Sequence, residues 1–231
     1  MSEIVRYALE GKVAHITLDD GKVNALGHDL ITAFNAALDR AEAEARAVVI
    51  WGRPGRFSAG FDLKVMMSGP GPLKALLTAG GDLFMRIYGF PRPVVIACTG
   101  HAIAGGALLV LSGDVRIGVA GEFKVGLNEV AIELPTPLLA VELARDRLDP
   151  RRLTEALLFG QVFPPEEAAR VGYLDRVVPA DQFAATVNAI AADLARLSPS
   201  AFAASKRRLR RATIKLIRDG AEADLKDLAG V

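Results

Sequence analysis

Pro93-Val94-Val95-Ile96-Ala97-Cys98-Thr99-Gly100-His101-Ala102-Ile103-Ala104-Gly105-Gly106-Ala107-Leu108-Leu109-Val110-Leu111-Ser112-Gly113 is a run of 21 residues without a charge if His101 is neutral. That is long enough in principle to cross a bilayer, but its interior argues against a membrane span. Thr99, Gly100, His101, Gly105, Gly106 and Ser112 would interrupt a membrane helix, whereas a buried strand, a loop and a buried helix use them naturally. Val94 to Cys98 then reads as a strand covered on both faces, and Gly105 to Leu111 as a buried helix. The double glycine at the helix start leaves N–H groups without intrahelical partners, which is how backbone alone makes an anion or oxyanion site. Close helix packing is the plainer use of the same glycines.

Outward from this stretch, strands and helices alternate. Ile4 to Leu9 and Val13 to Leu18 read as a hairpin turning at Glu10-Gly11. From His28 to Ala45, Leu30, Phe34, Ala37, Leu38 and Ala41 recur at helical spacing, and Ala47 to Trp51 is a second strand buried on both faces. A long polar, glycine-rich stretch separates it from Val94. Beyond Gly113, Val115 to Val119 and Phe123 to Val125 read as strands. Asp149-Pro150 and Phe163-Pro164-Pro165 are helix starts, and Gly172 closes the second of these helices. Tyr173 to Val178 reads as a last strand, and the chain is helical from Pro179, with a further start at Ser198-Pro199 running through Arg218. The pattern predicts an α/β core over residues 1–180 and a helical C-terminal segment over 181–231.

Composition narrows the function classes. With 231 residues, 51% hydrophobic and 24% charged, the chain buries a sizeable core and is not disordered. Its 28 Lys and Arg against 27 Asp and Glu give a net charge of +1, so no global field draws in nucleic acid or an anionic membrane. The lone Cys98 makes no intrachain disulfide, and MSEIVRYALEG lacks a secretory pattern, so a cytoplasmic enzyme or binding protein is expected. His15, His28 and His101 are scattered and form no metal motif, and no phosphate-cradling glycine pattern occurs.

Three stretches are able to carry chemistry. In Arg56-Phe57-Ser58-Ala59-Gly60-Phe61-Asp62-Leu63-Lys64, small residues let backbone N–H groups point into a site, though the same residues make an ordinary tight turn. The spacing of Gly55, Ser58 and Gly60 is not that of a nucleophile elbow. In Gly100 to Ala107, His101 is a possible general base, although a histidine beside an apolar segment is more often structural. In Val125-Gly126-Leu127-Asn128-Glu129-Val130-Ala131, a glutamate within an apolar run is a candidate for desolvation, which suits it to proton transfer near neutrality. Glu133 is its rival, and spacing does not separate the two. The basic run Lys206-Arg207-Arg208-Leu209-Arg210-Arg211 fits a solvated helical face, a subunit interface or a phosphate contact.

Taken in order, these segments resemble the crotonase superfamily of enoyl-CoA hydratases and isomerases over nearly the whole chain. The resemblance rests on Lys22-Val23-Asn24-Ala25-Leu26, Phe57 to Lys64, Pro93-Val94-Val95 leading to Gly100 to Gly106, and Asp114-Val115-Arg116-Ile117. Phe163 to Ala168, Gly172 and Val177-Val178-Pro179 add a later block. It implies a ClpP/crotonase-like fold, a repeated ββα spiral whose helical C-terminal segment packs against neighbouring subunits in a homotrimer or hexamer. It also implies an acyl-CoA substrate, with CoA entering as part of the substrate rather than as a bound cofactor, and no nucleic-acid or membrane partner.

Matched motif to motif, the N–H groups of Phe61 and Gly105 would hold the thioester carbonyl as an oxyanion hole. Ala59, with Gly60 and Asp62 beside it, would lie against the CoA moiety, Ala59 meeting the adenine through backbone. Lys64 falls near the path of the CoA phosphates, and Lys206 is the candidate phosphate-binding lysine of the C-terminal helix. One position departs from the hydratases. They pair two glutamates to activate water, whereas this chain has Leu108 at the first place and Glu129 at the second, in a Gly126-Leu127-Asn128-Glu129 stretch that resembles Δ3,Δ2-enoyl-CoA isomerases. The resemblance therefore implies isomerisation of 3-enoyl-CoA to 2-enoyl-CoA in fatty-acid metabolism, with Glu129 as acid and base. The alternatives are an enoyl-CoA hydratase pairing Glu129 with Glu133, an acyl-CoA-binding homologue without hydratase activity, and an RNA-binding module acting through Lys206 to Arg211. Ala104 and the Pro135-Thr136-Pro137 turn also depart from the glycine-rich hydratase pattern.

Overall fold

Alternating burial along the chain builds two sheets. A computed structural model describes residues 3–229. Strands β1 (Val5–Glu10) and β2 (Val13–Leu18) form the expected hairpin, and helix α1 (His28–Glu44) follows. Three rounds then repeat one pattern. In the first, β3 (Ala47–Trp51) and β4 (Gly55–Ser58) lead into the short α2 (Leu63–Met66) and the long α3 (Pro70–Tyr88); in the second, β5 (Val94–Cys98) and β6 (Gly100–Ile103) lead into α4 (Gly105–Ser112). In the third, β7 (Val115–Val119) and β8 (Val125–Gly126) are followed by a 3-10 turn at Val130–Ile132 and by α5 (Leu138–Arg147). Each round places one strand in the large sheet, ordered β1-β2-β3-β5-β7-β9, and one in a small parallel sheet, ordered β4-β6-β8. Helix α6 (Pro165–Val171) and β9 (Arg176–Val178) complete the large sheet, and α7 (Ala180–Leu194) and α8 (Pro199–Ala229) end the described chain.

The apolar run from Pro93 to Gly113 is thus strand, strand and helix, where the sequence predicts strand, loop and helix. No helix among the described residues is long and apolar enough to cross a membrane. Other elements differ from their sequence expectation. The polar stretch before Val94 contains α3, and the helix expected after Asp149-Pro150 is a 3-10 turn at Pro150–Arg152 followed by a π-helical turn at Thr154–Leu158. The strand expected from Phe123 pairs only at Val125–Gly126, the one expected from Tyr173 begins at Arg176, and α8 runs on to Ala229.

Side-chain alternation along the central strands divides the core. Val48, Ile50, Val94 and Ile96 pack with Leu30, Phe34 and Leu38 of α1 on one face of the large sheet. Ala47, Val49, Val95 and Ala97 pack with Phe183, Val187 and Ala191 of α7 on the other. Fully burying one large apolar side chain contributes about 1.5–3 kcal/mol, and both faces are filled, as the unbroken hydrophobicity of β3 and β5 requires.

Helix α8 closes over the side of the core away from α7. Lys206 and Arg210, one turn apart, both reach Asp114 in the turn between α4 and β7: Lys206 Nζ donates at 2.6 Å and Arg210 Nη2 at 2.8 Å. Asp114 also accepts the Val94 N–H at 2.8 Å. Further along α8, the Asp224 carboxylate accepts the Leu138 N–H at 3.0 Å, supplying α5 with an N-terminal cap that its own Pro137 does not provide.

Candidate functional site

The small sheet decides where the site sits. In parallel sheets, ligand sites form outside the carboxyl ends of the strands, and β4, β6 and β8 run parallel with Ser58 opposite Ala102 and Ile103 opposite Gly126. The segments that leave those ends are Ala59–Phe61, Ala104–Gly106 and Leu127–Glu129. They are the three stretches that the sequence singles out, delivered to one edge by three successive rounds of the fold.

Backbone pairing aims the first segment. Leu26 N–H donates to Gly60 O at 2.8 Å, and Asp62 N–H donates to Leu26 O at 3.3 Å. Phe61 lies between these two bonds as a parallel bridge partner of Leu26, so its own N–H points to the opposite edge and has no protein acceptor among the described residues. Asn24 holds this arrangement. Completely buried, it donates through Nδ2 to the carbonyls of Leu18, Arg56 and Phe57, and its own carbonyl accepts the Ser58 hydroxyl at 2.8 Å. In the sequence Asn24 stands out only as part of a motif; its role as a buried connector carries no local signal.

The second segment comes into contact with the first. A Cβ added to Gly60, whose φ of +91° already favours glycine, would lie 3.0 Å from the Gly105 nitrogen. Gly105 N–H begins α4 and likewise has no protein acceptor among the described residues. Two free N–H donors at touching turns can bind one oxygen that carries developing negative charge. The Phe61 side chain is positioned by α3, because a Cβ at Gly80 would stand 2.2 Å from its ring. That glycine, one of a pair that reads as a helix breaker, is the space the ring fills.

Ala104, immediately before α4, has φ +50° and ψ −121°, a conformation that glycine adopts without strain and alanine does not. Ala104→Gly is therefore expected to stabilise the protein by about 1 kcal/mol, relief of strain outweighing the greater freedom of the unfolded chain. Urea unfolding checks this as a higher midpoint at unchanged slope; an unchanged or lower midpoint refutes it.

In the third segment, burial separates the two glutamates. Glu129 is 7% exposed and its Oε2 is buried without a hydrogen-bond partner. Desolvation pushes its carboxyl above the ordinary range, with a backbone hydrogen bond partly opposing it. Glu133 lies on the surface in a left-handed conformation. Asn128 Oδ1 is a second buried acceptor without a partner.

Behind Phe61 and one turn into α4, Phe61 and Leu108 line an apolar cavity of about 120 Å³, together with Phe84, Leu139, Ile217 and Leu225 from α3, α5 and α8. Leu108 is 3% exposed. Asp82, Arg218 and Asp224 also border this cavity, and the residue that faces it one turn into α4 carries an alkyl side chain, not a carboxylate.

The remaining candidates fall in different places. Ala59 is exposed and Gly60 buried. Asp62 caps α2 by accepting the Lys64 N–H at 2.8 Å, and Lys64 is exposed on that helix. His101 is occupied structurally: its Nδ1 accepts the Lys124 N–H at 3.1 Å, its ring meets Phe123 edge-on, and burial, with Arg56 and Lys124 nearby, keeps its pKa below the ordinary value. Lys206 requires a correction. Expected to reach a CoA phosphate, it is 5% exposed with its ammonium on Asp114. The helical period turns Lys206 and Arg210 inward and leaves Arg207, Arg208 and Arg211 outside, so the basic run is not one continuous phosphate-binding face.

The chain shares its sequence pattern and fold with known proteins. The family model for enoyl-CoA hydratase/isomerase matches residues 8–228. The chain is similar to the mitochondrial enoyl-CoA delta isomerase 1 of Rattus norvegicus, at 30% identity over 94% of this chain and 77% of that protein. It is 31% identical to a putative enoyl-CoA hydratase of Thermus thermophilus over 85% of this chain and 80% of that one. An enoyl-CoA hydratase/isomerase family protein from Pseudomonas syringae, of known structure, superposes with a TM-score of 0.95 at 40% identity, covering 97% of this chain and 98% of the other.

Proposed function

Because this chain belongs to the enoyl-CoA hydratase/isomerase family and has the crotonase fold, we propose that it converts 3-enoyl-CoA to 2-enoyl-CoA with Glu129 as its single acid–base group. The observation that carries this reading is one buried carboxylate without a carboxylate partner. Leu108 stands where the hydratases have their first glutamate, and Glu133 is exposed.

In this mechanism the thioester oxygen accepts hydrogen bonds from Phe61 N–H and Gly105 N–H. The Glu129 carboxylate removes a proton from C2, the negative charge spreads onto the thioester oxygen as a dienolate, and protonated Glu129 returns the proton to C4. Each oxyanion donor contributes about 3 kcal/mol to the stability of that intermediate. Water addition in the hydratases uses a second glutamate to hold and activate the water, and the alkyl side chain of Leu108 cannot act as one. Ala59, Gly60, Asp62 and Lys64 belong to the same reading as the surface on which the CoA moiety lies.

The hydratase-named relative makes hydration the second reading, and one assay separates the two. Absorbance of the conjugated enoyl thioester is followed with a 3-enoyl-CoA and with a 2-enoyl-CoA. A rise with the first and little change with the second is expected. A fall with the 2-enoyl substrate means hydration and overturns the isomerase reading.

A further inference from the structure

Tyr173 lies between α6 and β9, completely buried, with its ring 6.1 Å from that of Phe163. Its hydroxyl oxygen accepts the Leu127 N–H at 3.3 Å, which fixes the phenol two residues before Glu129. A phenol also has a proton to donate, and among the described residues nothing accepts it. Nearby, Glu129 Oε2 and Asn128 Oδ1 are buried acceptors without donors. Buried polar groups left in this state are costly unless joined. Burial raises the phenol's pKa above its ordinary value, the Leu127 N–H partly opposes this, and the Glu129 charge raises it further, so the carboxylate lies within electrostatic reach of the hydroxyl. Glu133, the other carboxylate of this segment, faces solvent.

We propose that Tyr173 is a positioning residue for Glu129: with its oxygen held by Leu127 N–H, it delivers its hydroxyl proton through one water to one oxygen of the Glu129 carboxylate. The other oxygen is left to carry the proton between C2 and C4, a role that rests on the isomerase reading. A hydrogen bond donated to the carboxylate favours its charged form, so Tyr173 opposes the effect of burial and keeps the base ionised closer to neutrality.

Tyr173→Phe retains the ring and removes the hydroxyl. Its kcat is expected to fall about tenfold at little change in KM, and the acid limb of kcat/KM to move up by about half a pH unit. If that variant does not fold, because Leu127 N–H has lost its acceptor, protein carrying 3-fluorotyrosine at all three tyrosines keeps the contact and donates more strongly. Its acid limb is expected to move to lower pH. A limb that stays in place in each protein that folds overturns the proposal.

A second readout needs no turnover. The stability difference between the parent and Glu129→Gln, followed against pH, tracks Glu129 ionisation, and in the Tyr173→Phe background it is expected to shift to higher pH. A shift without 3-enoyl-CoA turnover means the coupling stands and the isomerase reading fails. Turnover with neither limb nor stability window moved means the reverse.

Discussion

Glu129→Gln is expected to lower kcat for 3-enoyl-CoA by about 10²–10⁴-fold, with binding of the CoA thioester retained. The amide keeps the shape of the side chain but cannot take a proton from C2, and Glu133, the other carboxylate of that segment, lies exposed on the surface. The parent's kcat/KM should rise with pH through the elevated Glu129 pKa and then level off, because the first step needs the charged form. Stability should respond in the opposite sense. Between the ordinary carboxyl pKa and the raised folded value, the native protein holds a proton that the unfolded chain has released, so stability falls as pH rises through this window. The glutamine variant lacks that loss and should unfold at higher urea than the parent at neutral pH and above. Near-parental turnover would remove Glu129 from the mechanism, whereas a stability difference independent of pH would deny its burial cost.

Asp114→Asn is expected to cost about 3–5 kcal/mol, the usual effect of removing one partner from a buried ion pair. Asp114 is the common acceptor for Lys206, Arg210 and the Val94 N–H. With it neutral, two cations remain enclosed beside Arg147, and Arg210 Nη1 already lacks a partner. Lys206 is the group that yields. Burial, offset in part by Asp114, has lowered its pKa to about 8, and removing the carboxylate lowers it further. A lysine depressed in the folded state binds fewer protons there than in the unfolded chain, so stability rises with pH from the folded value toward the ordinary one near 10.5. The variant's deficit should therefore shrink between pH 7 and pH 9 in urea unfolding, and a second change, Lys206→Met, should recover part of it. An equal deficit at both pH values would show that the lost cation pairing is not the cause. Since α8 walls the apolar cavity, the variant should also lose catalytic activity.

Much of this was legible from residue pattern. Ala47 to Trp51 and Val94 to Cys98 announce themselves because strands covered on both faces are apolar throughout. Gly55–Ser58 and Gly100–Ile103 do not, because each is short, contains glycine, and becomes a strand only through parallel pairing with distant segments. Helix α3 was hidden by Gly69-Pro70-Gly71-Pro72 and by Gly80-Gly81, and Gly80 is there to admit the ring of Phe61. The backbone donors were found by likeness of motif, which does not report their aim; that depends on Leu26 bonding on both sides of Phe61. Glu129 and Glu133 looked alike in sequence because burial is a property of the assembled sheet. Lys206 was misplaced for a related reason, since its partner, Asp114, is far away along the chain.

The three strand ends that carry Phe61, Gly105 and Glu129 belong to three successive rounds of the chain, and this governs how activity is gained during folding. On the proposed mechanism, a chain wound through only the first two rounds would possess both carbonyl-binding donors and no base, so recovery of catalysis on refolding would report completion of the third round.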